Sequence, residues 1–560
     1  MMLSGCSIAH KGEHPVSKHT CQMPLVLFGR QRRQTGHTNR WQLGLPPPGD
    51  LLGQAQLNRA AGTAGISVHT FHRTTRSADT RLQSDDAPTR DWSFLPPVEP
   101  ARLCTVPDCS PRSADPEHHF YIISQQVVPN APPDAVLECF GSLWELHYPY
   151  LCKSNTLSEL YMRTKKQRDT SSHIKGESPA GIRSVLRGRG GRRTIRSSLK
   201  NATLLQLPIR DPSITRESLS FALRTLYRPN ECPDQWGEAV LATANLLGLP
   251  QLFQRCLNEM TSSISFSTVS EFHRVSCKYK QVNLQQACER WLEMFLVTDL
   301  SSQISLRDLI FDLLLKTLQS PRVFACDEYD LLRTVLNWIY LQSNSSQHTF
   351  PSHSTIITFF SRSSRVFLEE PLGQMFALLF QALHLHGITE RQHIEEMQKN
   401  KVLPQSWLLL TFSKIFYSIH TGGDMRVTDF SKQAVRFGMI ITEDHCTRTI
   451  GLYGFYFLLQ ASRVGGSEVF EFSVERLRHW DPVLTEHCRT SQPFSMRPER
   501  PACYQINVQS YEHGEYNELS SDVIRHVFGL SKRCSRSQVF QVHGFMLPMC
   551  VTFALAFPPS

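Results

Sequence analysis

No run of about 18 uninterrupted apolar residues occurs anywhere in the 560-residue chain, which sets aside a membrane-spanning helix. The longest apolar tract, Phe545 to Phe557, is broken by Pro548 and Thr552 and reads as one or two buried strands. Cys-x-x-Cys pairs are also missing. The 16 cysteines approach one another no closer than Cys104 and Cys109, a low density that argues for reduced thiols in an intracellular protein of the cytoplasm, the nucleus or both. Cys256, Cys277 and Cys288 fall on apolar helical faces, where a thiol acts as a small hydrophobe. The nucleophile, zinc-helix and phosphate-loop motifs of common enzyme classes are absent too, so catalytic residues, cofactor and metal are all expected to be none. His384–Leu–His386 on a helix would point its imidazoles apart, and metal sites need convergent geometry. His147 and Ser154 lack an orienting acid and an oxyanion element, so His147 is expected to be structural.

Acid is scarce in one place. Between Arg163 and Lys200 there are 12 Lys/Arg against 2 Asp/Glu, and outside this segment the chain holds 47 basic and 48 acidic residues. The net charge of +9 is therefore a property of one insert, and the global basic footprint of a nucleic-acid binder is missing. The insert carries Arg187, Arg189, Arg192 and Arg193 among glycines, which cannot pack. It reads as a solvated loop, as a nuclear import signal, or as an RNA-binding segment, the last weakened because no aromatics interleave for stacking. The first 49 residues contain arginine and almost no acid, as transit peptides do. Their apolar run Met23–Gly29 is too short and too far along for a secretory signal.

Order should begin after residue 120, since 1–120 is rich in Pro, Ser, Arg, Thr and Gly without a sustained period. Ala135–Gly141 and Ser142–His147 read as a hairpin turning at Gly141–Ser142, followed by a helix with Leu151, Leu157, Leu160 and Tyr161 on one face, ending near Met162. Ala202–Pro208 is a strand stopped by proline, and Thr215 caps a helix through Tyr227. Helices follow over 236–247 and 252–260, then over 269–296, 306–318 and 327–341, with short loops that argue for an antiparallel stack. A Ser-rich linker occupies 342–364, and helices are expected over 371–386, 390–397 and 406–418. From about 435 the period shortens to that of strands, at 451–459, 468–472, 504–508 and 538–545, with turns at Gly465–Gly466 and His513–Gly514.

A hairpin followed by a helix carrying His147-x-x-x-Leu151-Cys152-x-Ser154 resembles the start of a BTB/POZ domain, most nearly in the germ-cell-less branch. Leu207–Pro208, Leu226–Tyr227 and the run Ala244 to Gly248 continue the likeness in family order. Leu318–Gln–Ser–Pro321, Glu328 and Trp338–Ile339 resemble a BACK domain, and Val402-Leu-Pro-x-x-Trp407 and Arg436–Phe–Gly438 resemble the germ-cell-less C-terminal region. The resemblance implies an α+β chain. It would comprise a disordered 1–120, a BTB/POZ domain over 134–260 interrupted by a disordered insert at 163–200, and an all-α BACK-like stack over 261–345. A helical linker region over 365–435 and a strand-rich domain over 436–560 would follow.

By the same likeness the chain is a non-enzymatic adaptor that self-associates, docks a cullin-3 scaffold and holds an unidentified substrate protein. The alternative is a structural scaffold at the nuclear envelope without a ubiquitin-ligase role. Asp134 and Lys153 are then candidate dimer-interface residues. Leu157, Leu160, Tyr161, Met162, Phe272 and Val275 are candidate cullin contacts. The sequence departs from cullin-binding relatives at Met162–Arg163–Thr164–Lys165–Lys166, where a hydrophobic-x-Glu motif is usual.

Overall fold

Residues 115–172, 202–425, 427–484, 494–512 and 515–559 are described by the computed structural model, and all belong to one unit spanning 107–560. The readings of residues 1–114 and of the arginine-rich part of the insert lie outside these residues. Helix α1 (Pro116–Val127) opens on a proline at its first turn, where no donor is lost, and buries Phe120 and Ile123. Ordered structure thus begins ahead of the boundary expected at 120, because Phe120 seats edge-on against Trp144 and Tyr227 with ring centres 5.5 and 5.7 Å away.

Strands β1 (Ala135–Cys139) and β2 (Ser142–Leu146) pair antiparallel, with Ala135 opposite Leu146 and Cys139 opposite Ser142. The turn between them is Phe140–Gly141, one residue earlier than expected. Both residues have positive φ (52° and 71°), as a tight hairpin matching the strand twist requires. Helices α2 (Tyr148–Leu151) and α3 (Asn155–Ser172) lead to β3 (Thr203–Gln206), which lies parallel to β1 and completes the order β2-β1-β3. Helix α3 continues ten residues past Met162, where a disordered insert was expected to begin. The added turns hold lysine, glutamine and arginine, good helix formers that need no core. Helices α4 (Arg216–Tyr227), α5 (Glu238–Leu246) and α6 (Pro250–Ser262) pack onto this sheet. Thr215 caps α4 as expected, exchanging hydrogen bonds with Ser218 in a capping box.

The helical stack follows as α7 (Val269–Tyr279), α8 (Val282–Phe295), α9 (Phe311–Gln319) and α10 (Glu328–Ser343). The stretch 269–296 is two helices, not one, because Lys280 takes a left-handed conformation (φ 55°) that reverses the chain. Asp327 caps α10 by accepting the Asp330 N–H at 3.1 Å. Within the supposed Ser-rich linker, Ser352 starts α11 (His353–Ser361), and Ile356 and Phe360 bury there. Residues 371–386 break into α12 (Pro371–Gln374), α13 (Ala377–Gln381) and a 3-10 turn at Leu385–Gly387. Helices α14 (Arg391–Lys399), α15 (Gln405–His420) and the short α16 (Phe430–Gln433) complete the helical part.

Two sheets then pack face to face. One runs β4 (Val435–Ile441), β12 (Met549–Ala556), β8 (Glu499–Glu512), with β9 (Glu515–Ser520) and β10 (Ile524–Gly529) both on the far side of β8. The other is β5 (His445–Leu452), β6 (Phe455–Arg463), β7 (Val469–Arg476), β11 (Phe540–His543). The expected single strand 451–459 is a hairpin bend, with Tyr453–Gly454 at positive φ between β5 and β6. The expected turn at Gly465–Gly466 does join β6 to β7, both glycines having positive φ, while His513–Gly514 lies outside the described residues. Phe437, Phe457, Phe472, Ile506 and Phe553 point between the sheets. Each such side chain contributes roughly 1.5–3 kcal/mol by leaving water. The outer face of the first sheet is buried as well, since Arg436, Gln509, Cys550 and Thr552 lie under the helices. A strand covered on both faces loses the period-two signal, and β4 is buried at almost every position. Among the described residues no helix is long and apolar enough to cross a membrane.

Candidate interaction site

His147 ends β2 and is buried. Its backbone N–H donates to the Tyr227 hydroxyl at 3.1 Å, and its Nδ1 lies 3.0 Å from the same oxygen. Burial pushes the Tyr227 phenol up to about 12. The His147 Nε2 faces the Ala131 carbonyl at 3.4 Å, which can only accept, and this places the proton of a neutral ring on Nε2 and lets Nδ1 accept from the phenol. Ser154 is buried seven residues on. Its Oγ donates to the Leu247 carbonyl and accepts the Leu157 N–H at 3.1 Å, capping α3. Both polar side chains of the motif are thus consumed inside the fold, His147 joining the end of β2 to α4 and Ser154 joining α3 to the end of α5. Leu151 is buried beside them and Cys152 is exposed. Of the helical cysteines, Cys256 and Cys288 are buried as expected, whereas Cys277 is exposed near the end of α7, where the helix turns away from the core.

Asp134 and Lys153 do not meet. The Asp134 carboxylate accepts the Tyr148 N–H at 2.7 Å, at the start of α2, where an anion is favoured. Lys153 donates to the Leu226 carbonyl at 2.8 Å and lies over the Tyr150 ring. Both are exposed. Four of the six candidate cullin contacts are inside the fold: Leu157, Tyr161, Phe272 and Val275 are core residues. They face the core because α3 and α7 turn their apolar stripes inward, and the outer turns fall to other side chains. Leu160 is half-buried, Met162 is 46% exposed, and Phe266, just before α7, is 44% exposed. From Arg163 onward the outer face of α3 is basic.

The region after α6 is fixed to the sheet domain by charge. Lys278 on α7 donates to Asp211 at 2.8 Å and to Glu238 at 2.9 Å, and Arg274 also pairs with Glu238. Lys278 holds the Asp211 carboxyl down to about 2. Burial pushes Glu238 up, but its hydrogen bonds from Arg274 and Lys278 outweigh it and bring that group to about 2.

Two motifs far apart in sequence meet at the base of the β-sandwich. Glu328, the first residue of α10, is fully buried and receives both Arg436 Nε at 2.8 Å and an Arg436 Nη at 2.9 Å. His384 Nδ1 lies 3.5 Å from the same carboxylate and 2.9 Å from the Ala434 carbonyl. Burial pushes the Glu328 carboxyl up, but Arg436 and His384 reverse this and hold it far below the carboxylate range. Two residues along, Gly438 passes so close to the Ala325 carbonyl that a Cβ would stand 2.3 Å from its oxygen. His384 and His386 sit at a 3-10 turn and not on a helix, with ring centres 5.9 Å apart, and each nitrogen named here addresses a backbone carbonyl of the 433–434 segment. A second clip went unread in the sequence. Glu293 on α8 accepts two bonds from Arg322 and one from Ser320, and the Arg322 carbonyl accepts Gln509 from β8. Only the Ser320–Pro321 of the BACK-like motif hinted at it.

Residues 134–260 match the family described as the BTBDG BTB/POZ domain, and residues 435–539 match the family described as the BTB/POZ domain-containing protein 16 C-terminal domain. Germ cell-less protein-like 1 of Homo sapiens is 21% identical over 402 residues, covering 68% of this chain and 69% of the relative. Its Mus musculus counterpart is 21% identical over the same length, covering 68% of each chain. The Drosophila melanogaster protein germ cell-less is 23% identical over 235 residues, covering 36% of this chain and 41% of its own.

Proposed function

From the premise that this chain carries a BTB/POZ domain and resembles germ cell-less proteins, we propose that it is a non-enzymatic protein-interaction adaptor, self-associating and docking a cullin-3 scaffold through residues 116–280 while its C-terminal part holds a client. The observation that carries this reading is the disposition of polar groups in the first domain. His147, Ser154 and Tyr227 are spent on internal bonds, leaving exposed apolar side chains at the surface among the described residues. Tyr121 and Ile122 on α1, with Leu143 on β2, offer apolar surface for a second copy, and Met162 and Phe266 offer it for a cullin.

The test is calorimetry of the full chain with the cullin-3 N-terminal domain. Micromolar association is expected, weakened about tenfold or more by Met162→Glu, since the apolar anchor would be replaced by a charged side chain that an apolar contact must desolvate. Met162 is exposed, so this variant should fold; Leu157→Asp would instead bury a charge in the core. No heat from folded protein would remove the ligase role. One observation favours the scaffold reading in that event: Arg163, Lys165 and Lys166 extend α3 where cullin-binding relatives are expected to carry an acid.

A further inference from the structure

Helix α15 lines a groove along its whole length. Trp407, Leu410, Thr411, Lys414, Tyr417 and Ser418 fall at helical spacing on one of its faces and border two adjoining cavities. The larger holds about 1050 Å³ and the smaller about 370 Å³, and Gln381, Leu383, His386 and Lys414 line both. The floor is the 380–386 segment, and the far wall of the larger cavity is formed by residues 428–436. The two ends differ in chemistry. At the Trp407 end the lining is Phe380, Leu383, Leu385 and Leu410.

At the other end it carries Lys414, Lys432, Arg436 and Asp424. The last two are neutralised from outside the cavity, Arg436 by Glu328 and Asp424 by Arg500, which approaches it to 2.5 Å. Lys432 shares Asp429 at 3.1 Å, in a pair exposed to solvent. Lys414 has no ion-pair partner among the described residues and projects from the exposed side of α15. The groove is therefore apolar at one end and cationic at the other, and among the described residues the Lys414 ammonium, which borders both cavities, carries no counter-charge.

We infer that this groove holds an extended acidic segment of a client protein, anchored by one apolar side chain beside Leu410 and Trp407 and paired through its carboxylates with Lys414 and Lys432. Leu410 and Lys414 stand one helical turn apart, about 6 Å along the axis, which an extended chain spans in about two residues. The recognised pattern is thus an apolar residue with Asp or Glu two positions away. The 12 residues from Trp407 to Ser418 rise about 16 Å, the length of roughly five extended residues. Leu410 is 59% exposed and Tyr417 64% exposed, so the anchor would cover apolar surface that the fold leaves in water. This inference rests on the adaptor reading for its partner class. It uses a different surface from the cullin test.

The experiment is selection of a random-peptide phage library on the full-length protein, followed by fluorescence anisotropy of the enriched peptides. Expected are peptides with the apolar-x-acid pattern, weakened about tenfold by Lys414→Glu through like-charge repulsion and by Leu410→Ser through loss of the anchor site. Added salt should weaken them as well, while Lys399→Glu, outside the groove, leaves them unchanged. Circular dichroism would establish that each variant is folded. The inference is overturned if no peptide is enriched, if enriched peptides lack acid, or if binding ignores Lys414→Glu. It is equally overturned if light scattering shows that Leu410→Ser abolishes a self-association of the chain and no peptide is recovered, since a second copy then covers the groove. Cullin binding that survives any of these results keeps the adaptor and loses the groove.

Discussion

At the scale of single residues, the charges that join α7 to the first domain set a pH dependence. Asp211 and Glu238 have folded-state pKa values near 2, below their ordinary 3.8 and 4.5. Groups depressed in this way add stability that is fully present above their unfolded values and is lost as pH falls from about 4.5 towards 2. Lys278 is the shared partner, and Lys278→Met keeps its aliphatic stem while removing the ammonium from both carboxylates, leaving Glu238 its bond from Arg274. Urea midpoints measured at about pH 6 and about pH 3 should therefore differ less in Lys278→Met than in the parent. The variant should cost about 1 kcal/mol or less at pH 6, since Lys278 is partly exposed and solvent screens it. An unchanged pH difference would show that these carboxylates titrate independently of Lys278. Neither acid stands out in the sequence, because an ion pair between residues 67 apart leaves no local pattern.

Secondary-structure elements were the most legible level, and their failures have local causes. The capped start of α4 sits where Thr215 announced it, because a cap needs only its own helix, and α10 starts beside Asp327 where its helix was expected, with a cap at Asp327 that was not read. Hairpin turns were misjudged at two points, since Phe140 and Tyr453 occupy left-handed positions where glycine or asparagine is usual. Phe140 is half exposed and contributes little to the core. Phe140→Asn should stabilise the chain by about 0.5–1 kcal/mol, read as a rise in the urea midpoint, because asparagine tolerates positive φ at smaller cost. A destabilised variant would mean that the Phe140 ring is packed against something it must keep. The Ser-rich stretch hid α11 for a similar reason. Only Ile356 and Phe360 are fully buried, with Ile357 and Phe359 half-buried beside them, a cluster too short to stand out in a polar background.

For the molecule as a whole, the BACK-like acid and the Arg-Phe-Gly motif were read separately, each as a family likeness. They are the two halves of one buried bond. Removing its negative half by Glu328→Gln leaves the Arg436 guanidinium under the sheet without its counter-charge, a loss of about 3–5 kcal/mol. Calorimetry should show a lower melting temperature, with the helical stack and the β-sandwich still melting in one transition. That coupling is expected because Arg322–Gln509 and the close passage of Gly438 by Ala325 also cross between them. Two separated transitions in the parent protein would instead mean independent bodies.

The sequence by itself determined the chain's class and most of its elements, since helical spacing, capping residues and the order of short motifs act over a few residues. It also located the net charge in a single insert. Tertiary structure decided which of the apolar residues face inward: the spacing that puts Leu157 and Tyr161 on one stripe is the same whether that stripe meets the core or a partner, and only the packing of α3 against the sheet buries it. The groove along α15 is likewise a product of packing, because its walls come from segments separated by many residues and its charge balance depends on Glu328 and Arg500 lying just behind it.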